Sequence, residues 1–149
     1  MNDPVSFTEY LQTHDTLTYT NVGVSMLPLL RQGKDLFIVR KKEKDRCKKG
    51  DVALYRRGDA YVLHRIIEVR PENYVILGDN CIAKEYGVRD EEILGVMTGY
   101  VRNGKEHSIH EWRYRLYSFV ILHSVGLRFF LKHCKKVLTR CVKGARHAE

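Results

Sequence analysis

Ser25, His64 and an acid at Asp79 or Glu85 are the residues of this chain whose types and order suit covalent chemistry. A serine hydroxyl attacks a carbonyl only when a base takes its proton, and the base works best when a third group orients it. Ser25 stands in Gly23-Val24-Ser25-Met26-Leu27-Pro28, where glycine relieves crowding on one side and proline stiffens the other. Backbone N–H groups of such a turn can face a developing oxyanion. His64 falls in the strand-like run Tyr61–Val69, whose alternation puts Val62, His64 and Ile66 on one apolar face. An imidazole with an ordinary pKa of about 6.5 suits proton abstraction near neutral pH. Asp79 follows the short apolar run Tyr74–Leu77 and Gly78, a position that presents a carboxylate at a sheet end. Glu85 competes with it for the orienting role. Taken singly, each residue has an ordinary structural explanation as a turn serine, a core histidine or a turn aspartate. Their joint order points to catalysis.

The elements that must position these groups are short. Asp3-Pro4 reads as an N-cap followed by proline at the first helical position, which predicts a helix over Val5–Thr13. Thr16–Thr20 alternates and leads as a strand into the serine turn, and Leu29–Gly33 reads as a helical half-turn closed by glycine. Further strands are expected at Asp35–Arg40, Asp51–Tyr55, Tyr61–Val69, Tyr74–Leu77 and Ile93–Arg102. The basic stretch Lys41–Lys49 reads as a solvated loop, and Arg56-Arg57-Gly58-Asp59 as a hairpin turn. Asn103-Gly104 turns the chain into a last strand near Glu106–Ile109. Tight spacing and glycine-rich turns predict a mainly β, antiparallel domain over residues 1–110 with a short N-terminal helix.

From Glu111 the pattern becomes helical, with a stripe at 112, 116, 119, 120, 123 and 127, apolar except for His123, and onward at similar steps to 138. Residues 1–110 carry 17 Lys and Arg against 16 Asp and Glu, whereas residues 111–149 carry 9 against 2. The net charge of +8 therefore belongs to the tail and bears on the tail's partner. A basic amphipathic helix, broken near Gly126, has two uses. It can pack its apolar face on the β-domain, or lay that face on an anionic membrane surface. Nucleic acid is not the expected partner, because nothing in the sequence resembles a reading motif. The longest uncharged run, Leu116–Leu127, is too short to span a bilayer, which takes about 18–20 residues. The N-terminus has no basic or apolar leader pattern, so a cytoplasmic protein is expected, peripheral at the inner membrane face if the tail binds lipid. Cys47, Cys81, Cys134 and Cys141 show no metal-ligand spacing, and neither metal nor cofactor is expected.

Five segments together resemble the signal peptidase I and self-cleaving-repressor superfamily of serine peptidases. Gly23–Pro28 is similar to its Ser-Met-x-Pro nucleophile box, and Lys34–Val39 to the strand after it. Gly50–Tyr55 resembles its Gly-Asp-Val strand, Val62–Ile67 its base-bearing segment, and Leu77–Asn80 its Gly-Asp-Asn box. The histidine at position 64, where eubacterial members use lysine, resembles the endoplasmic-reticulum, archaeal and sporulation-type signal peptidases. The resemblance implies the small β-rich peptidase fold, a Ser25–His64 couple, and an extended peptide substrate with small residues beside the cleaved bond. Asp79 is the acid expected to complete the site. The chain departs from the family in three places. Gly23 stands where many members carry an oxyanion-assisting serine, Cys81–Glu85 replaces the usual acidic pair, and no N-terminal membrane anchor is expected. The function expected is therefore a signal-peptidase-like serine endopeptidase. The alternative is a catalytically degenerate relative serving as a membrane-surface binding module.

Overall fold

A computed structural model describes residues 6–127 of the chain. The expected helix begins later than Asp3-Pro4 suggested, and those two residues lie outside the described part. Helix α1 spans Phe7–Thr13, and its N-cap is Ser6, whose hydroxyl accepts from the Glu9 N–H while Glu9 returns a bond to the Ser6 N–H. This reciprocal Ser-x-x-Glu box satisfies two donors that a helix start leaves orphaned.

The remaining domain is one antiparallel sheet. Its strands are β1 (Thr16–Thr20), β2 (Leu36–Lys41), β3 (Val52–Arg57), β4 (Ala60–Val69), β5 (Tyr74–Leu77), β6 (Glu85–Val88), β7 (Ile93–Arg102) and β8 (Lys105–Ser108). The spatial order is β1-β2-β7-β3-β4-β5-β6, with β8 also on β7. Strand β7 is central because its sequence alternates, with Ile93, Gly95, Met97 and Gly99 all buried. β3 and β4 form a tight hairpin in which Arg57 faces Ala60 across Gly58-Asp59, and Gly58 takes a positive φ of 60°. Strand β6 has no counterpart among the strands expected from sequence.

The two faces of the sheet bury separate cores. One holds Leu17, Met26, Leu29, Leu30, Phe37, Val39, Leu54, Leu63 and Met97. The other holds Ala53, Tyr55, Ile66, Tyr74, Ile76, Val88 and Ile93. Each fully buried aliphatic side chain contributes about 1.5–3 kcal/mol. β4 is buried on both sides from Leu63 to Ile66, so His64 and Arg65 are enclosed although they point to opposite faces.

After β8 comes helix α2 (Trp112–His123), which ends with the Ser124 N–H on the Val120 carbonyl. Beyond residue 127 the expected tail helix lies outside the described residues. The expected apolar stripe is present, but it does not pack on the domain. Ile121 is buried, Tyr114 and Tyr117 pack against the core, and Ser118 meets Arg65. Trp112, Leu116, Phe119, Val120 and Leu127 are exposed. The reason lies in what α2 must cover. The Arg65 guanidinium is buried and needs hydroxyl partners, and these are on the tyrosine–serine face.

Candidate active site

The serine turn is fastened at its base before Ser25 is placed. Asn21, buried at the end of β1, donates from its side-chain amide to the Gly23 and Leu30 carbonyls, at 3.2 and 3.4 Å. Its N–H donates to the Asp35 carbonyl at 3.0 Å, and its own carbonyl accepts from Gly33 at 2.9 Å. Met26, Leu29 and Leu30 drop into the core, so alternate ends of the turn are pinned by apolar burial. Asp35 is buried beneath it, bonded by Arg31 and Arg102, and Arg102 also donates to the Leu29 carbonyl at 2.7 Å. Burial opposes the charge of Asp35, but the two guanidinium groups outweigh it and hold the carboxyl well below the usual range.

The Gly78-Asp79-Asn80 turn closes on this loop from the other side. The Asn80 N–H donates to the Ser25 carbonyl at 2.7 Å, and its side-chain amide donates to the Val24 carbonyl at 3.1 Å. Residue 78 has to be glycine at this contact. A Cβ there would lie 2.8 Å from the Ser25 carbonyl oxygen, 2.7 Å from Cys81 Sγ and 3.0 Å from His64 Nε2. The Ser25 backbone carbonyl and the His64 ring nitrogen thus flank the same point, although 39 positions separate the two residues in sequence.

The other ring nitrogen faces away. His64 Nδ1 lies 3.2 Å from Glu85 Oε1 and 3.3 Å from the Tyr55 hydroxyl. Tyr55 donates to Glu85 Oε2 at 2.7 Å, and Arg57 donates to Oε1 at 2.9 Å. A carboxylate only accepts, so its bond to Nδ1 needs the proton there and leaves the lone pair on Nε2. Burial is the main influence on His64 and lowers its pKa from the ordinary value. Glu85 partly restores it, and Arg57 lowers it further. His64 is therefore neutral at neutral pH. Burial and the neighbouring carboxylate likewise push the Tyr55 hydroxyl far up, so it remains a donor.

Asp79 is placed elsewhere. Both of its oxygens take 2.8 Å bonds from Arg65, and Oδ2 also accepts from Tyr117 at 2.9 Å. Arg65 further donates to the Gly50 carbonyl and to Ser118. Of the two acids that compete in sequence, Glu85 contacts the imidazole and Asp79 secures Arg65 and α2. Tyr55 and Arg57 went unnoticed in the sequence, where they read as an apolar strand residue and a turn cation.

Ser25 and His64 line one groove of about 460 Å³. Thr20 and Val22 bound it from the β1 side, and Ala60 to Leu63 from β4. Its floor includes Phe37 and Leu54, and Phe7 of α1 stands between Tyr19 and Tyr61, with ring centroids at 4.8 and 5.0 Å. Among the described residues β1 pairs only with β2, and β4 meets β5 only from Arg65 onward. Two strand edges without a partner strand therefore border the groove. No group of three or more His, Cys, Asp or Glu side chains suited to a metal ion occurs among the described residues. Comparison with protein-family models, curated proteins and solved structures gives no match to this chain.

Proposed function

We propose that this chain is a serine endopeptidase of the signal-peptidase-like type, with Ser25 as nucleophile and His64 as general base, oriented by Glu85. The observation that carries the reading is the convergence at Gly78. There the nucleophile turn and the free face of the imidazole meet, while the opposite nitrogen is held by an acid. In this reading an extended peptide enters the groove and pairs with the unpartnered edges of β1 and the first half of β4. The Ser25 hydroxyl passes its proton to His64 Nε2 as Oγ attacks the scissile carbonyl. The imidazolium returns that proton to the departing amine, and an acyl-enzyme remains. Water then attacks the ester, His64 takes a proton from it, and that proton returns to Ser25 Oγ as the acid leaves. Because position 23 is glycine, the oxyanion donors come from the backbone of the turn. Asp79 serves the fold by holding Arg65.

A fluorophosphonate probe tests the core of this. Wild-type protein is expected to be labelled, and Ser25→Ala is expected to lose the label while unfolding at the same temperature. Equal labelling of the two would refute the assignment.

A further inference from the structure

We propose that the outward face of α2 is a docking surface for an anionic lipid bilayer, which the protein engages without crossing. The proposal does not depend on the peptidase reading. With about 3.6 residues per turn, positions 112, 116, 119 and 120 fall on one side of the helix. These are Trp112, Leu116, Phe119 and Val120, which are 69%, 54%, 58% and 52% exposed. The opposite side, Tyr114, Tyr117, Ser118 and Ile121, faces the domain. A stripe of four large apolar residues on the outside of a helix whose hydroxyl-bearing side is turned inward is the reverse of an ordinary surface helix.

Three observations identify the occupant as lipid. Arg113 and Arg115 are exposed and flank the stripe on its two sides, so their guanidinium groups can reach headgroups while the stripe enters the acyl boundary. Arg113 lies 5.5 Å over the Trp112 ring, and an aromatic–cation pair of that kind suits the headgroup level. The sequence that follows the described part, residues 128–149, adds seven Lys and Arg against one Glu. That excess complements an anionic surface. None of the described helices is long and apolar enough to cross a membrane.

Trp112 is the single tryptophan of the chain, and its emission reports directly on this face. The full chain is mixed with equimolar phosphatidylglycerol–phosphatidylcholine vesicles and with pure phosphatidylcholine vesicles. A blue shift and co-sedimentation with the former, and weak binding to the latter, are expected. Leu116→Ser with Phe119→Ser removes two apolar contacts and is expected to lower the partition coefficient at least about tenfold. Arg113→Gln with Arg115→Gln, which leaves the helix interior untouched, is expected to weaken binding to the anionic vesicles selectively. Unchanged Trp112 emission on addition of vesicles overturns the proposal. So does a shift that grows with protein concentration in the absence of lipid, which would mean that a second copy covers the face. Anionic-vesicle binding unaffected by both pairs of substitutions overturns it as well.

Discussion

Replacing Glu85 with glutamine separates the two acids that compete for the orienting role. Glu85 Oε1 sits 3.2 Å from His64 Nδ1 and holds a proton there. Glutamine keeps the volume but can turn its NH2 toward Nδ1, which must then accept. The ring proton moves to Nε2, the nitrogen that must be bare to take the serine proton. A positioned general base contributes roughly 10²- to 10⁴-fold to rate, so kcat is expected to fall by about that factor. KM should change little, because Glu85 lies behind the imidazole and does not line the groove. The acid limb of the activity profile moves as well. Burial already lowers the His64 pKa, and the Glu85 carboxylate is what opposes that shift. Without it the imidazole stays neutral to a lower pH, and residual activity persists further into acid than in the wild type. Asp79→Asn is the companion. It leaves the buried Arg65 guanidinium facing a neutral amide, and breaking a buried ion pair costs about 3–5 kcal/mol. Its effect should therefore appear as a lower urea midpoint, with the folded fraction still active. Steady-state hydrolysis of a fluorogenic peptide between about pH 5 and 8, beside urea unfolding, measures both. If Glu85→Gln keeps wild-type kcat while folded Asp79→Asn loses it, the assignment is wrong.

Two further perturbations probe the scaffold. Gly78→Ala inserts a methyl group within 3.0 Å of the Ser25 carbonyl, Cys81 Sγ and His64 Nε2, and overpacking of this kind costs about 1–3 kcal/mol. It should part the nucleophile from the base, so fluorophosphonate labelling is expected to slow by more than the loss of stability explains, and labelling at the wild-type rate would contradict the convergence. Asp35 is depressed in the folded state, so its contribution to stability is complete above the unfolded carboxyl value of about 3.9 and is lost as pH falls below it. Asp35→Asn is expected to be less stable at neutral pH and to lose less on acidification, and parallel wild-type and mutant curves in urea at pH 3 and 7 would refute that role.

Much of the fold is legible in sequence wherever a local pattern dictates the element. β1 and β7 lie where alternation and flanking turns put them, and β5 where a short apolar run before Gly78 puts it, because burial on one face leaves a period and burial on both leaves a continuous run. Strand β6 leaves none. Glu85-Tyr86-Gly87-Val88 buries only Val88, contains a glycine at positive φ, and is held as a strand by β5 alone. The N-cap was misplaced for a related reason. Asp3-Pro4 carries the stronger textual signal, but Ser6 and Glu9 have the spacing that lets both side chains reach the backbone. The stripe on α2 was found by its period, and its direction was not. Periodicity says that a helix has two faces, whereas which face turns inward is fixed by the hydroxyls that Arg65 and Asp79 require.

The candidate site divides along the same line. The placement of Ser25 and His64 beside one groove was legible because each sits in a local frame, a glycine–proline turn and an alternating strand, that limits where its side chain can go. Which acid meets the imidazole was not legible, since Asp79 and Glu85 both follow the same buried strand β5 and only the pairing of β5 with β6 decides between them. That pairing sets Ile76 opposite Glu85 and carries the carboxylate to Tyr55 and His64. Asp79, only two residues beyond the end of β5, is turned to the α2 side by its bidentate bond to Arg65, the next residue after His64 along β4. Alternation along β4 therefore does the sorting. It sends the imidazole to one face and the guanidinium to the other, and each face then takes the acid that can reach it. In the proposed peptidase the acid on the imidazole face orients the base, and the acid on the opposite face holds the helix that carries the exposed apolar stripe. On the proposed readings, neighbouring residues of one strand separate the chemistry from the attachment surface, and substitutions at Glu85 and at Asp79 should act on different properties of the protein.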